Sequence, residues 1–223
     1  MIAGTLIVIA KEPVPGRVKT RLTPPFTPIQ AAALAEAALT DSLEAVAQAQ
    51  VQRRVLALQG EPGPWLPPSF EVIPQRGGGL DERLAACFED AHDGSPMVLI
   101  GMDTPQVTPS LLESAARTLA TDAADAVFGP AEDGGFWLLG LREPDTSLLL
   151  GVPMSVDVTG AEQLTRLHDA GLRVSLLPEL TDVDTIDSAK RVVASAPGSR
   201  FSAAFDLLTR GQASGPVTVT SVP

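Results

Sequence analysis

The residues best suited to chemistry stand close together near the start of the chain. The segment Lys11-Glu12-Pro13-Val14-Pro15-Gly16-Arg17-Val18-Lys19-Thr20-Arg21 holds four of the chain's 16 Lys and Arg residues against one acid, in a protein of net charge −11. It follows a continuous apolar run, so it reads as a loop at the carboxyl end of a buried strand, where open α/β sheets bind their ligands. A basic loop with glycine there offers backbone N–H groups and cations to phosphates. Its spacing is not that of a P-loop, because Val18 stands where that motif needs its second glycine. The alternative is an ordinary solvated loop.

Two groups of acids could complement it. Asp103, in Gly101-Met102-Asp103-Thr104-Pro105, also follows an apolar run, where one carboxylate can hold Mg²⁺ or Mn²⁺ against phosphate oxygens. It could equally be a turn residue ahead of Thr104-Pro105. In Asp182-Val183-Asp184-Thr185-Ile186-Asp187 three carboxylates are crowded before a helix. Asp184 as N-cap with Asp187 at N3 would explain one of them; a cation among them would explain the cluster. Glu132-Asp133-Gly134-Gly135 reads as a tight hairpin turn or as backbone approaching substrate. Gln75 to Asp81, with Gly77, Gly78 and Gly79, reads as a flexible lid. His92 and His168 lie in amphipathic stretches and read as surface residues, and Cys87 reads as core.

These residues need a scaffold, and the length of 223 residues fits one α/β domain. Strands are predicted at Leu6–Ala10, Arg54–Leu58, Phe70–Ile73, Met97–Ile100, Ala126–Phe128, Phe136–Leu141 and Val174–Leu177. Between them run helical patterns. Thr27-Pro28-Ile29-Gln30 has the N-cap, first-turn proline and N3 glutamine of a helix start. Asp81, Thr108 and Thr159 are further predicted caps, the last opening a Thr159-Gly160-Ala161-Glu162 capping box. Alternating β and α units with doubly buried strands imply a mostly parallel sheet covered by helices. The domain is expected over 1–210, with 211–223, rich in Ser, Thr, Gly and Pro, as a flexible tail.

Composition excludes several classes. The negative charge disfavours nucleic acid, and seven Phe, two Trp and no Tyr leave few platforms for stacked bases. There is no complete G-x-G-x-x-G, and Ser-His-Asp chemistry has little support. The single cysteine rules out an intrachain disulfide. The N-terminal apolar run has no basic leader and is as short as a strand, and no window approaches the ~18 apolar residues of a membrane helix. The cytoplasm is the expected location.

The motifs together resemble one family. The order Ala10-Lys11-x-Pro13-x-Pro15-Gly16-x-Val18-Lys19-Thr20-Arg21-Leu22, Gly101-Met102-Asp103-Thr104-Pro105, Asp133-Gly134-Gly135-Phe136-Trp137-Leu138-Leu139-Gly140-Leu141 and Asp182-Val183-Asp184-Thr185 is similar to the GT-A-like glycosyltransferases of the arsenosugar-biosynthesis type. These belong to the nucleotide-diphospho-sugar transferase superfamily, with the molybdenum-cofactor and 2-phospho-L-lactate guanylyltransferases as relatives. The resemblance implies a single-domain Rossmann-like GT-A fold with a mostly parallel sheet of about seven strands and helices on both faces. It implies that Lys11, Gly16, Lys19, Arg21 and Asp103 bind the nucleotide and that Asp103 and Asp184 hold Mg²⁺ or Mn²⁺. Asp103 and Lys19 would be catalytic, and Asp133, Gly134 and Gly135 would line the acceptor side. The expected reaction is metal-dependent transfer from a nucleotide-sugar to a small-molecule acceptor. The alternatives are nucleotidyl transfer from an NTP with release of pyrophosphate, and a non-catalytic nucleotide-binding module.

Overall fold

The computed structural model describes residues 1–213. Seven strands form one sheet: β1 (Ile2–Lys11), β2 (Val51–Gln59), β3 (Glu71–Pro74), β4 (Met97–Ile100), β5 (Ala126–Pro130), β6 (Phe136–Leu141) and β7 (Val174–Leu176), in the order β3-β2-β1-β4-β6-β5-β7. Only β6 runs antiparallel to its neighbours, β4 and β5. The other pairings are parallel. The carboxyl ends of β1, β4, β5 and β7 therefore share one edge, and every loop with a candidate site residue leaves from it.

The described residues form six α-helices: α1 (Pro28–Gln48), α2 (Leu80–Ala91), α3 (Pro109–Ala120), α4 (Thr159–Asp169), α5 (Ile186–Ser195) and α6 (Arg200–Ala213). The two faces are set by alternation along the central strand. Leu6, Val8 and Ala10 of β1 pack with Leu39, Leu43 and Val46 of α1 and Leu112 and Leu119 of α3. Ile7 turns to the other face, where Leu84 and Phe88 of α2 and Leu167 of α4 wait. A third cluster lies behind α1: Leu22 and Phe26 pack on Leu34 and Ala38, with Val183, Val192 of α5, and Phe201 and Phe205 of α6. The alanine-rich sequence of α1 suits this place, since small side chains let it be covered on two sides.

The helix starts follow the sequence in part. Thr27 caps α1 in a reciprocal box with Gln30, as expected, and Thr108 caps α3. Three caps differ. α2 starts from Gly79, and Asp81 in its first turn instead accepts from Gly151 N–H at 2.9 Å. The N-cap of α4 is Val158, without a side-chain bond. The Thr159 hydroxyl donates to the Pro153 carbonyl at 2.8 Å, so it fastens the preceding loop rather than capping. Thr185, not Asp184, caps α5, with Ser188 completing the box. Helix α6 had no counterpart in the sequence pattern. Its first N–H groups are satisfied from afar, Asp41 accepting from Arg200 N at 3.0 Å and Phe201 N at 2.9 Å. Gly211 lies within α6, and the expected tail beyond Ala213 falls outside the described residues.

Cys87 is buried on α2, and burial pushes its thiol up to about 12. Reactivity follows the thiolate fraction. Native protein at pH 8 should therefore leave a disulfide-exchange reagent such as DTNB unconsumed over a period in which the urea-unfolded chain reacts to one equivalent.

Candidate active site

The loop after β1 is fastened at its start and twisted at its end. Lys11 N–H donates to Met102 Sδ at 3.3 Å, joining the first loop to the residue before Asp103. Glu12 N–H continues the ladder to the Gln59 carbonyl at 2.9 Å. Gly16 takes a positive φ of 76°, with open space where a side chain would be. Lys19 is left-handed, with φ 49° and ψ 38°, at the head of a 3-10 turn whose Leu22 is fully buried. A non-glycine residue there is uncommon. Lys19 is correspondingly turned inward, its side chain 8% exposed.

Its ammonium lies 2.8 Å from Asp103 Oδ1 and also donates to the Val183 carbonyl. Asp103 Oδ1 is shielded from solvent, and the lysine approaches it off hydrogen-bonding angles, so the oxygen is ion-paired without being hydrogen-bonded. The backbone closes the same junction, Val183 N–H donating to the Asp103 carbonyl at 2.8 Å. Val183 is fully buried in the cluster behind α1, and the acids on either side of it, Asp182 and Asp184, are left half-buried outside that cluster.

Asp184 meets the exposed Arg21 at 2.6 Å. Asp182 is raised to about 6, first by burial and then by the charges of Asp133 and Asp103, with Lys19 opposing. Asp103, Asp133, Asp182 and Lys19 thus feel one another in a single charged group. Because Thr185 caps α5, capping does not account for Asp184.

The segment carrying Asp182 is stitched to the β5–β6 hairpin. Leu180 N–H donates to the Pro130 carbonyl at 3.1 Å, Glu132 N–H to the Leu180 carbonyl at 3.0 Å, and Trp137 Nε1 to the Pro178 carbonyl at 3.1 Å. Within the hairpin, Asp133 Oδ1 accepts from Gly135 N–H at 2.8 Å. Gly134 (φ 87°) and Gly135 lie against the start of α4. A Cβ on Gly134 would fall 2.0 Å from the Asp157 carbonyl oxygen, and one on Gly160 would fall 2.5 Å from that of Gly135. Gly134 and Gly160 therefore have a packing role whatever else they do.

Of the residues singled out in the sequence, Lys19 pairs with Asp103, Arg21 pairs with Asp184, and Asp133 and Asp103 both act on Asp182. Lys11 is set apart from that group. It lines a cavity of about 380 Å³ beyond β1, β2 and β3, with Gln59, Gln75, Arg76, Gly77, Gly78 and Arg83. Neither Lys11 nor Arg17 has a side-chain partner among the described residues. The expected lid over 75–81 is held at both ends, by Gln75 Nε2 donating to the carbonyls of Ala10 and Ala57 and by Asp81 on Gly151. A second cavity, about 290 Å³ along α3 from Ser110 to Ala123, includes none of the residues singled out. Sequence reasoning counted Asp182 in the acidic cluster without giving it a role of its own, and passed over the Val183 carbonyl. The alternation of acid, valine, acid was the available signal.

Asp103, Asp133, Asp182 and Asp184 offer oxygen donors only, a set suited to a hard divalent cation. Asp103 has a shielded oxygen with a cation already against it, and Asp133 and Asp103 raise the cost of ionising Asp182. The residues present fit such an ion. Among the described residues no three His, Cys, Asp or Glu side chains are grouped as a ready-made metal cage, so water and phosphate oxygens would complete the shell, as is usual for Mg²⁺.

The fold matches that of the nucleotide-diphospho-sugar transferase superfamily. A structure from Desulfovibrio desulfuricans G20, provisionally named a nucleotide-diphospho-sugar transferase, superposes with TM-score 0.80 at 27% identity, covering 94% of this chain and 95% of its own. CMP:2-keto-3-deoxy-manno-octonic acid synthetase complexed with CTP matches at TM-score 0.54 and 15% identity, covering 86% and 97%. Rv0371c from Mycobacterium tuberculosis H37Rv, in complex with manganese, matches at 0.51 and 19%, covering 87% and 100%. The chain belongs to the family described as "Uncharacterized protein conserved in bacteria (DUF2064)", whose model matches residues 30–156. That range contains Asp103 and the Asp133–Gly135 hairpin, while Lys19 and Asp184 lie on either side of it. No curated protein matches the sequence.

The hairpin geometry yields a paired test. Gly134→Ala combines a left-handed backbone with a clash against backbone, so it should cost about 1–3 kcal/mol in denaturant unfolding. At Gly135 the nearest atom is the movable Asp133 carboxylate at 3.1 Å, and Gly135→Ala should cost clearly less.

Proposed function

We propose that this chain is a divalent-metal-dependent transferase acting in the cytoplasm on a nucleotide-activated donor, with glycosyl transfer from a nucleotide-sugar to a small-molecule acceptor as its reaction. The observation that carries this reading is the buried Lys19 ammonium held between Asp103 and the Val183 carbonyl on the carboxyl edge of the sheet. A buried lysine, a cluster of carboxylates and a basic loop meet there.

In this reading Asp103 and Asp184 hold Mg²⁺ or Mn²⁺. A bound ion would neutralise charge on the donor's diphosphate as the bond to the transferred group breaks. Lys19, Arg21, Lys11 and the open Gly16 turn take the phosphate oxygens, with charge-assisted bonds from the lysines and from Arg21. Lys19 starts from a dry position, where its charge is poorly screened and its pull on a phosphate correspondingly strong. Asp133, with the backbone of Gly134 and Gly135, borders the acceptor in this reading. The similarity to the Desulfovibrio structure favours glycosyl transfer.

One observation favours nucleotidyl transfer instead. Lys11 and Arg17 carry unpaired charge on the same loop as Lys19, enough for a third phosphate. Nucleotidyl transfer would release pyrophosphate; glycosyl transfer would release a nucleoside diphosphate.

Three variants test the site by calorimetric titration of nucleotides with and without Mg²⁺. Lys19→Ala should weaken nucleotide binding by about 1.5–3 kcal/mol per bond lost. Asp103→Asn keeps the shape and should abolish the Mg²⁺-dependent part of binding. Asp184→Asn should also remove metal response while changing stability by no more than about 1 kcal/mol, since its ion pair is exposed. Unchanged nucleotide affinity in Lys19→Ala would return the loop to an ordinary solvated one.

A further inference from the structure

We infer that Gln106 and Thr181 are positioning residues for the metal: they brace the Asp103 loop, the acidic segment and the hairpin against one another, so that Lys19 can leave Asp103 for a phosphate while the acids keep their places. This rests on the proposed metal-dependent reading and adds to it the groups that set the spacing of the acids. Lys19 cannot be both the clamp between these segments and a cation that moves to substrate. Something else must hold them, and a chain of hydrogen bonds beside the acids does.

Each of Asp103, Asp133 and Asp182 has a near neighbour in that chain. Gln106 stands three residues past Asp103 in the loop after β4, and its Nε2 donates to the carbonyl of Thr181, the residue before Asp182. The Thr181 hydroxyl donates to Glu132 Oε2 at 2.6 Å, and Glu132 is the residue before Asp133. The same carboxylate oxygen accepts from Arg191 Nε of α5 at 3.1 Å. Backbone bonds run alongside, Val183 N–H to the Asp103 carbonyl and Glu132 N–H to the Leu180 carbonyl. Thr181 is thus tied through its carbonyl to the Asp103 loop and through its hydroxyl to the hairpin.

The chemistry of the two residues suits the task. Both reach across as neutral donors, so neither competes with an ion for a carboxylate as the Lys19 ammonium does at Asp103. The Thr181 bond is short and ends on a charged oxygen, which makes it one of the stronger kinds. The Gln106 amide cannot be turned round, because a carbonyl only accepts. Its Oε1 is left shielded from solvent with no partner among the described residues. Leucine at this position would remove that unpaired oxygen together with the tie, so the loss of stability is partly offset while the loss of position is not. Groups that orient metal ligands from outside typically change metal affinity 10–100-fold when removed. Gln106 and Thr181 act on neighbours of the acids, so the lower end of that range applies.

The test titrates the full chain with Mn²⁺ alone and counts the free ion by electron paramagnetic resonance, at a temperature where circular dichroism shows each variant folded. Gln106→Leu and Thr181→Val should each weaken Mn²⁺ binding about tenfold. Valine is isosteric with threonine and the position is half-buried, so Thr181→Val tests the brace even where Gln106→Leu folds poorly. Thr181→Ser keeps the hydroxyl and should restore wild-type affinity, which a loss of packing alone would not do. Lys19→Ala should bind Mn²⁺ at least as tightly as the wild type, because it removes a cation that competes for Asp103. Wild-type affinity in folded Gln106→Leu or in Thr181→Val would overturn the brace and leave the metal reading standing. Weaker Mn²⁺ binding in Lys19→Ala would make the lysine itself the clamp and overturn the brace too. Failure of the wild-type protein to bind Mn²⁺ would overturn the metal reading and this inference with it.

Discussion

The site depends on the placement of one charge. Lys19 gives up nearly all of its hydration to sit between Asp103 and the Val183 carbonyl. An ammonium in such a place is tolerable only while its partners stay in reach. Three separate stretches of chain must therefore arrive together: the loop after β1, the end of β4 and the strand-like segment before α5. Their backbones are tied as well as their side chains, through Val183 N–H on Asp103 and Lys11 N–H on Met102. Loss of either carboxylate or loop would leave a buried charge uncompensated, so the electrostatics of the site and its architecture constrain each other.

The packing behind α1 supplies the rigidity this needs. Leu22 and Val183 are both fully buried in the same cluster, one just past Lys19 and the other between Asp182 and Asp184. Phe201 and Phe205 of α6 close that cluster from outside, with Phe26 edge-on to Phe205 at 5.5 Å. Helix α6 thus holds the basic loop and the acidic segment against a common apolar floor. Apolar burial, which is not directional, fixes where these segments lie. The polar groups then decide which way the charges point.

Much of this could be read from the sequence, and the failures have physical causes. β4 and β6 fall at their predicted residues, because a run buried on both faces leaves no ambiguity between strand and loop. Thr27 and Pro28 fix the start of α1 through local chemistry. Local chemistry also misled: Asp184 looks like a cap because capping preferences are short-range, yet Thr185 is one residue better placed and Ser188 completes its box. Helix α6 escaped because its N–H groups are satisfied by Asp41, about 160 residues away in sequence. Lys19, Arg21 and Asp103 were legible as chemistry from their place after buried strands. Asp182 was legible only as one acid of a cluster, since its burial and its repulsion from Asp133 and Asp103 exist only once the hairpin and the acidic segment are joined.

The central claim, that Asp103 with Lys19 forms a cation-and-phosphate junction, is tested most directly by crystals grown with Mn²⁺ and a nucleoside diphosphate, using manganese anomalous scattering to place the ion. The account predicts an anomalous peak within bonding distance of the Asp103 carboxylate. It predicts phosphate oxygens on the Lys19 side of the ion, and the Lys19 ammonium drawn away from Asp103 toward them. A manganese peak elsewhere on the chain, with the Lys19–Asp103 pair intact and the phosphates remote from the first loop, would contradict it.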